Sequence, residues 1–168
     1  IHRKNHGANT FMTAIVCVSR NWGIGRDGAL LFHISADHRR FRAMTLGKTV
    51  LLGHKTLETF PGGRPLKGRR NIVLSRRDLQ IDGAEVAHSF DEAAALGGDD
   101  AIVIGGASVY MALLDRCDRV YVTKVDAAPE ADSFFPNLDD NPDWRIGSES
   151  EVFEENGLRF QYIDYVRS

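Results

Sequence analysis

The chain is short of several things that large classes of protein require. Only two cysteines occur, Cys17 and Cys117, neither in a Cys-x-x-Cys pair nor in a zinc-ligand pattern. A disulfide framework is therefore excluded, and a reducing, cytoplasmic setting is expected. The apolar runs are brief: Ala14-Ile15-Val16-Cys17-Val18 is far below the length that crosses a bilayer, so no membrane partner is expected. A basic excess is also missing. Lys and Arg number 21 against 23 Asp and Glu, for a net charge of -2, without the surplus that phosphate neutralisation along nucleic acid draws on, and no nucleic-acid partner is expected. No Gly-x-Ser-x-Gly elbow supports a serine nucleophile. His33 and His38 are five apart and His54 has Glu58 at i+4, with no further ligands in pattern, so no metal is expected.

What is present is an ordinary globular composition, 43% hydrophobic and 26% charged in 168 residues, enough for one domain. Residues 1–11 are polar, aperiodic and free of an apolar signal-type run, and are expected to be a disordered lead-in or expression remnant, with Met12 the native start of a single domain over 12–168. From there short β-branched runs alternate with helical patterns. Strands are predicted at Thr13–Val18, Thr49–Leu52, Asn71–Leu74, Ala101–Ile104 and Arg119–Val125. Helices are predicted at Ala36–Leu46, Lys55–Phe60, Asp91–Leu96 and Ala107–Leu113, each entered through a Ser, Thr, Asp or Gly able to cap it. This is the pattern of an α/β domain, a mostly parallel central sheet flanked by helices. Arg145–Glu154 and Leu158–Val166 flank Asn156-Gly157, which predicts a C-terminal antiparallel hairpin.

Two glycine features bear on ligands. Gly23-Ile24-Gly25-Arg26-Asp27-Gly28 fits G-x-G-x-x-G, but polar Ser19-Arg20-Asn21 separates it from the strand and no acidic residue follows about 20 positions on. It reads as a mobile glycine loop, its hinges beside Ala29-Leu30-Leu31-Phe32 letting an apolar lid close. Ile102-Val103-Ile104-Gly105-Gly106-Ala107-Ser108-Val109-Tyr110 runs from a strand through two glycines into a helix, which serves either a phosphate or tight strand–helix packing. Two other strand ends lead into Gly53-His54-Lys55-Thr56 and Ser75-Arg76-Arg77, giving either a site for a large anionic nucleotide or a solvated basic rim. Gly47-Lys48-Thr49 resembles the end of a P-loop but lies between helix and strand, which disfavours a nucleotide kinase. In Leu30-Leu31-Phe32-His33-Ile34-Ser35-Ala36-Asp37-His38-Arg39-Arg40-Phe41, a cap at Ser35 puts Asp37 in the first helical turn with Phe41 on its face. One carboxylate beside one aromatic wall suits a flat heterocycle with paired N–H donors; an acid in a first turn also serves as a plain partner of the helix dipole.

Taken in order, several strings make the chain resemble the dihydrofolate reductase family, of the bacterial chromosomal type, over about residues 12–166. They are Trp22-Gly23-Ile24-Gly25, Ala36-Asp37 with Phe41, Gly53-His54-Lys55-Thr56-Leu57-Glu58, Gly63-Arg64-Pro65-Leu66-Lys67-Gly68-Arg69-Arg70-Asn71, Ile104-Gly105-Gly106 with Tyr110, Tyr121-Val122-Thr123-Lys124-Val125-Asp126, and Ala131-Asp132-Ser133-Phe134-Phe135-Pro136. The resemblance implies a single-domain enzyme reducing 7,8-dihydrofolate to 5,6,7,8-tetrahydrofolate, with hydride transfer from NADPH to C6, protonation at N5, and a place in one-carbon and thymidylate metabolism. It implies a monomer whose catalytic residues are Asp37, Thr123, Tyr110, Leu30 and Phe32. Substrate would meet Ile15, Asp37, Phe41, Phe60, Leu66, Ile104 and Thr123, with Arg69 on the glutamate α-carboxylate and Arg64 nearby. Cofactor would meet Cys17, Ile24 and Gly25 at the nicotinamide, Thr56 with Gly105, Gly106, Ala107, Ser108 and Val109 at the pyrophosphate, and Tyr110 near the nicotinamide face. The 2′-phosphate would meet His54, Lys55, Ser75 and Arg76, with Leu74 beside them. Residues 21–32 would form the lid and Asp132 would support its closed form.

The chain departs from the family pattern at Leu31-Phe32, where many relatives have Pro-Trp, and at Ser35, His54 and Cys17, where Pro, Arg and Ala are frequent. Phe32 has no ring N–H with which to hold a water. Two rivals share part of the pattern: the reductase domain of riboflavin biosynthesis, against which Asp37 with Phe41 and Arg69 speak, and a non-catalytic nucleotide sensor, in which Asp37 has no task.

Overall fold

The structure, a computed structural model, describes residues 11–168, so the lead-in expected over residues 1–11 lies outside the described residues but for Phe11. The β-branched runs form strands because each buries side chains on both faces of one sheet. They are β1 (Met12–Val18), β4 (Thr49–Gly53), β5 (Arg70–Leu74), β7 (Ile102–Gly105) and β8 (Cys117–Val125). The short strands β2 (Gly23–Arg26), β3 (Ala29–Leu30), β6 (Ala84–Ala87) and β9 (Ser133–Phe134), with β10 (Trp144–Glu149), β11 (Phe153–Glu155) and β12 (Leu158–Arg167), complete the set. The helices are α1 (Ser35–Thr45), α2 (His54–Glu58), α3 (Phe90–Gly97) and α4 (Ala107–Leu113).

The main sheet runs β10-β12-β8-β1-β7-β4-β5-β6, with β11 also on β12. The six strands from β8 to β6 pair in parallel, and β12 adds antiparallel to β8. This bears out a mostly parallel α/β sheet with antiparallel C-terminal strands. Asn156 and Gly157, both at positive φ, close a two-residue turn between β11 and β12, the geometry Asn-Gly favours. The first arm is not the continuous Arg145–Glu154 strand expected: it breaks at Ser150, whose N–H bonds the Tyr162 carbonyl at 2.8 Å and whose Oγ accepts the Tyr162 N–H at 2.8 Å.

Alternation along the strands sorts the core. Val16, Leu51, Ile72 and Val103 face one way and pack with Ala93 of α3 and Val109 and Leu113 of α4. Ile15, Val50, Leu52, Val73, Ile102 and Ile104 face the other way, toward Phe41 and Met44 of α1. Because β1, β4, β5 and β7 are parallel, their carboxyl ends open along one edge, where ligands of such sheets gather.

Three expectations are corrected. The glycine segment after β1 is not a loop: β2 pairs with β3 and with β9 in a small separate sheet. Asp27 (φ 52) and Gly28 (φ 78) are the two-residue turn between β2 and β3. Gly23 and Gly25 serve close approach rather than hinging, since an added Cβ lies 2.8 Å from Ala131 Cβ at Gly23 and 2.9 Å from Ser133 Oγ at Gly25. Strand β6 lacked a long enough apolar run to be read. Ser35 does not cap α1; Ile34 precedes the helix, and of the four α-helices among the described residues only α3 has a side-chain cap from its N-cap residue, Ser89.

Candidate active site

Asp37 stands in the first turn of α1 over the carboxyl half of β1 and β8. Thr123, buried on β8, donates its hydroxyl to Asp37 Oδ1 at 2.5 Å. Cys17 on β1 is the register partner of Thr123, and Tyr162 on β12 is its partner on the other side, so the three form a row facing α1. Cys17 stands beside the same carboxylate. Burial pushes the Asp37 carboxyl above the ordinary carboxylate range; the Thr123 hydroxyl foremost, then His38, Arg40 and the Cys17 thiol, pull it back. Burial above all, with Asp37 beside it, pushes the Cys17 thiol up, so it stays protonated. The helix end itself is satisfied from a distance. Glu155 of β11 accepts the N–H groups of Ser35 at 2.6 Å and Ala36 at 3.1 Å.

Next to Asp37, the buried Ile15 and Ile104 share one apolar cluster with Phe41, Phe60 and Leu66. Those five predicted substrate residues are thus brought together as one wall. Phe32 packs in the adjoining cluster with Cys17, Ala36 and Tyr162, an apolar neighbour with nothing to donate. Leu30 is not brought into either cluster; it lies 62% exposed on β3. Arg69 is oriented by its own neighbours, with Nε on the Lys67 carbonyl at 2.9 Å and Nη1 on Thr45 Oγ1 at 3.1 Å. Burial and the adjacent Arg42 hold its pKa below the usual arginine value. Arg64 is exposed and folds against Gly62.

The other strand ends meet beside this wall. Tyr110 of α4 is buried and donates its hydroxyl to the Ile15 carbonyl at 2.6 Å; burial raises its pKa and keeps it neutral. Its ring covers Gly105, where φ is +125° and an added Cβ sits 3.4 Å from the ring, a conformation that strains any other residue. At Gly106 a Cβ lies 3.1 Å from Thr56 Oγ1, and at Gly53 one lies 3.2 Å from Val109 Cγ2. Helices α2 and α4 therefore begin side by side, each without a side-chain cap. His54 Nδ1 lies 3.7 Å from Glu58. Lys55, Arg76 and Ser108 are exposed on this rim, while Ala107 is half-buried. Ser75 Oγ accepts the Arg77 N–H at 3.2 Å, and Ser75 O contacts the His88 ring at 3.1 Å. Leu74 and Ile24 pack instead against the core on the α3–α4 face. At the small sheet, the Asp132 carboxylate accepts the Asp27 N–H at 2.9 Å and its N–H bonds the Gly25 carbonyl at 2.9 Å.

Sequence reasoning missed Tyr162 and Arg40 beside Asp37, Asp164 beside Arg40, and Glu155 on the N–H groups that open α1. Arg40 alone carried a local signal, three residues after Asp37 in a helix.

Comparison with known proteins gives one answer. The sequence model of the family described as dihydrofolate reductase matches residues 11–167. The type 3 dihydrofolate reductase of Salmonella typhimurium is 44% identical over 129 residues, covering 75% of this chain and 78% of the relative. The dihydrofolate reductase of Neisseria meningitidis serogroup B is 38% identical over 160 residues, covering 93% and 98%. Among solved structures, a dihydrofolate reductase from Enterococcus faecalis complexed with NADP(H) and RAB-propyl superposes with a TM-score of 0.85 at 31% identity, covering 95% of this chain and 98% of that one.

Proposed function

The chain belongs to the dihydrofolate reductase family, and on that premise we propose that Asp37 is the group through which its cleft holds and activates the pterin. The activity is the NADPH-dependent reduction of 7,8-dihydrofolate to 5,6,7,8-tetrahydrofolate. The observation that carries the residue assignment is the Asp37 carboxylate, bonded to Thr123 at 2.5 Å beside the cluster of Ile15, Ile104, Phe41, Phe60 and Leu66. Thr123 occupies one carboxylate oxygen. A second lone pair on that oxygen and those of the other oxygen are available to N3 and the pterin 2-amino group, a paired acceptor for paired donors. The apolar wall takes the ring face and excludes water from it, which strengthens those bonds. A carboxylate raised in pKa by burial favours a proton on the pterin, delivered to N5 through solvent.

The residues at the other strand ends fit a phosphorylated dinucleotide on this structure's own terms. Gly105 and Gly106 leave open the space a Cβ would fill beside Thr56, and His54, Lys55, Ser75 and Arg76 bring hydroxyl and cationic donors to the same edge for a 2′-phosphate. When bound, NADPH supplies the hydride that C6 receives. Tyr110, locked to the Ile15 carbonyl, fixes the floor between the two halves of the site. Arg69 holds the glutamate α-carboxylate, a task suited to a guanidinium already aimed by Thr45 and Lys67.

The same reading takes the enzyme to be a cytoplasmic monomer with small molecules and not nucleic acid as its partners, which its near-neutral charge supports. No helix among the described residues is long and apolar enough to cross a membrane. Loss of nicotinamide absorbance with NADPH and dihydrofolate, set beside NADH and a ribosylated pyrimidine as alternatives, tests the reading; turnover of the pyrimidine in place of dihydrofolate would overturn it.

A further inference from the structure

The reaction as described leaves one charged neighbour of Asp37 without a task. Arg40 follows Asp37 by three residues on α1, the spacing that brings two helical side chains together. Its guanidinium lies 4.0 Å over the Tyr162 ring, and Nη2 lies 3.9 Å from Asp164 Oδ1. Asp164 is in turn 3.7 Å from Arg119 Nη1. The Arg40 and Asp164 side chains are only 26% and 22% exposed, so this pairing is sheltered from solvent. Tyr162 and Asp164 both belong to β12, and Tyr162 is the register partner of Thr123, the donor to Asp37. A cation on the acid's helix is therefore clamped to the strand beside the acid's hydrogen-bond donor.

We propose that Arg40, held between Tyr162 and Asp164, is a positioning residue for the reaction: it locks the first turns of α1 to β12 and keeps a fixed positive charge beside Asp37, which sets the pH range over which Asp37 is ionised. The inference rests on the reading of Asp37 as the pterin-holding acid. The groups that face Asp37 are Cys17 from β1, Thr123 from β8, Tyr162 from β12, Tyr110 from α4, and His38 and Arg40 from its own helix, with Glu155 on the N–H groups that open that helix. Among them Arg40 alone carries a guanidinium cation. Stacking on the ring and pairing with the carboxylate suit a planar, delocalised cation, while the charge beside Asp37 can come from a cation of either kind. Arg40 accordingly favours the ionised form of Asp37, against the burial that opposes it.

The test is the pH dependence of kcat and kcat/KM for dihydrofolate in the wild type, Arg40→Met, Arg40→Lys and Tyr162→Leu, with thermal melting of each to confirm folding. Removing the charge in Arg40→Met moves the Asp37-dependent midpoint upward and leaves the KM for NADPH unchanged. Arg40→Lys keeps the charge and returns the midpoint toward the wild-type value. Tyr162→Leu frees the guanidinium and gives a smaller shift of the same sign, and it stands in for Arg40→Met should that variant not fold. A profile for Arg40→Met that superimposes on the wild type, or an Arg40→Lys profile displaced as far as that of Arg40→Met, overturns the proposal. Asp37→Asn separates the two levels: if it keeps turnover, the reading of Asp37 fails, and if it is inactive while Arg40→Met is unshifted, only the role of Arg40 fails.

Discussion

Thr123 Oγ1 and Asp37 Oδ1 lie 2.5 Å apart although 86 residues separate them, and the bond is the largest influence drawing the Asp37 pKa down against burial. Thr123→Val keeps the volume and removes the donor. A hydrogen bond to a charged group is worth about 1.5–3 kcal/mol, so kcat/KM for dihydrofolate is expected to fall about 10- to 100-fold. The pH midpoint assigned to Asp37 should move upward in the same variant, since burial is then less opposed. A pH–rate series on Thr123→Val checks both, and an unshifted midpoint speaks against the assignment.

Arg69 is held by Thr45 and by the Lys67 carbonyl, with Arg42 adding positive charge nearby. Arg69→Met should raise the KM for dihydrofolate by roughly 10- to 100-fold with kcat little changed, as loss of a charge-assisted contact made equally in ground and transition states does. For a pterin substrate without the glutamate tail, the same substitution should have no effect. Equal losses on both substrates would place the role of Arg69 elsewhere.

Glu155 takes two N–H groups of α1, and those bonds hold its carboxyl below the ordinary value of 4.5. A depressed carboxyl stabilises the fold above its unfolded pKa, and the contribution disappears as pH falls through the folded pKa. Glu155→Gln should therefore lower the urea midpoint at pH 7. Repeated under acid conditions, the difference between variant and wild type should shrink. A gap that stays constant with pH would show that the carboxylate charge has no part in capping α1.

His54 opens α2 on the rim assigned to the 2′-phosphate, with Glu58 3.7 Å away. A single hydrogen bond to phosphate is worth about 0.5–1.5 kcal/mol, so His54→Ala should raise the KM for NADPH by about 2- to 10-fold and leave the KM for dihydrofolate unchanged. An unchanged KM for NADPH removes His54 from the phosphate site.

Much of the frame was legible because buried parallel strands leave continuous apolar runs: β1, β4, β5, β7 and β8 were each found within a residue or two, and Ala107–Leu113 is the helix as predicted. The Asn156-Gly157 turn was legible because two successive positive φ angles restrict the residue choice so strongly. Asp27-Gly28 carries a similar signal and was obscured by the overlapping glycine pattern, which looked like a hinge while Gly23 and Gly25 in fact admit Ala131 and Ser133 at close range. Asp37 with Phe41 could be seen on one helix face, but its partners arrive through register. Thr123, Cys17 and Tyr162 align only once β1, β8 and β12 are paired, and Glu155 reaches Ser35 only once the hairpin folds over α1. No local pattern encodes such meetings; for Thr123 and Arg69 it was the resemblance to the family that pointed to them.

If Asp37 activates the pterin and takes no part in holding the cofactor, turnover of dihydrofolate and binding of NADPH come apart in Asp37→Asn when the two are measured side by side. The expected result is a fall in kcat of about 100-fold or more, the scale of a lost acid–base group, with NADPH affinity unchanged within about twofold. An Asn variant that reduces dihydrofolate at close to the wild-type rate would contradict it.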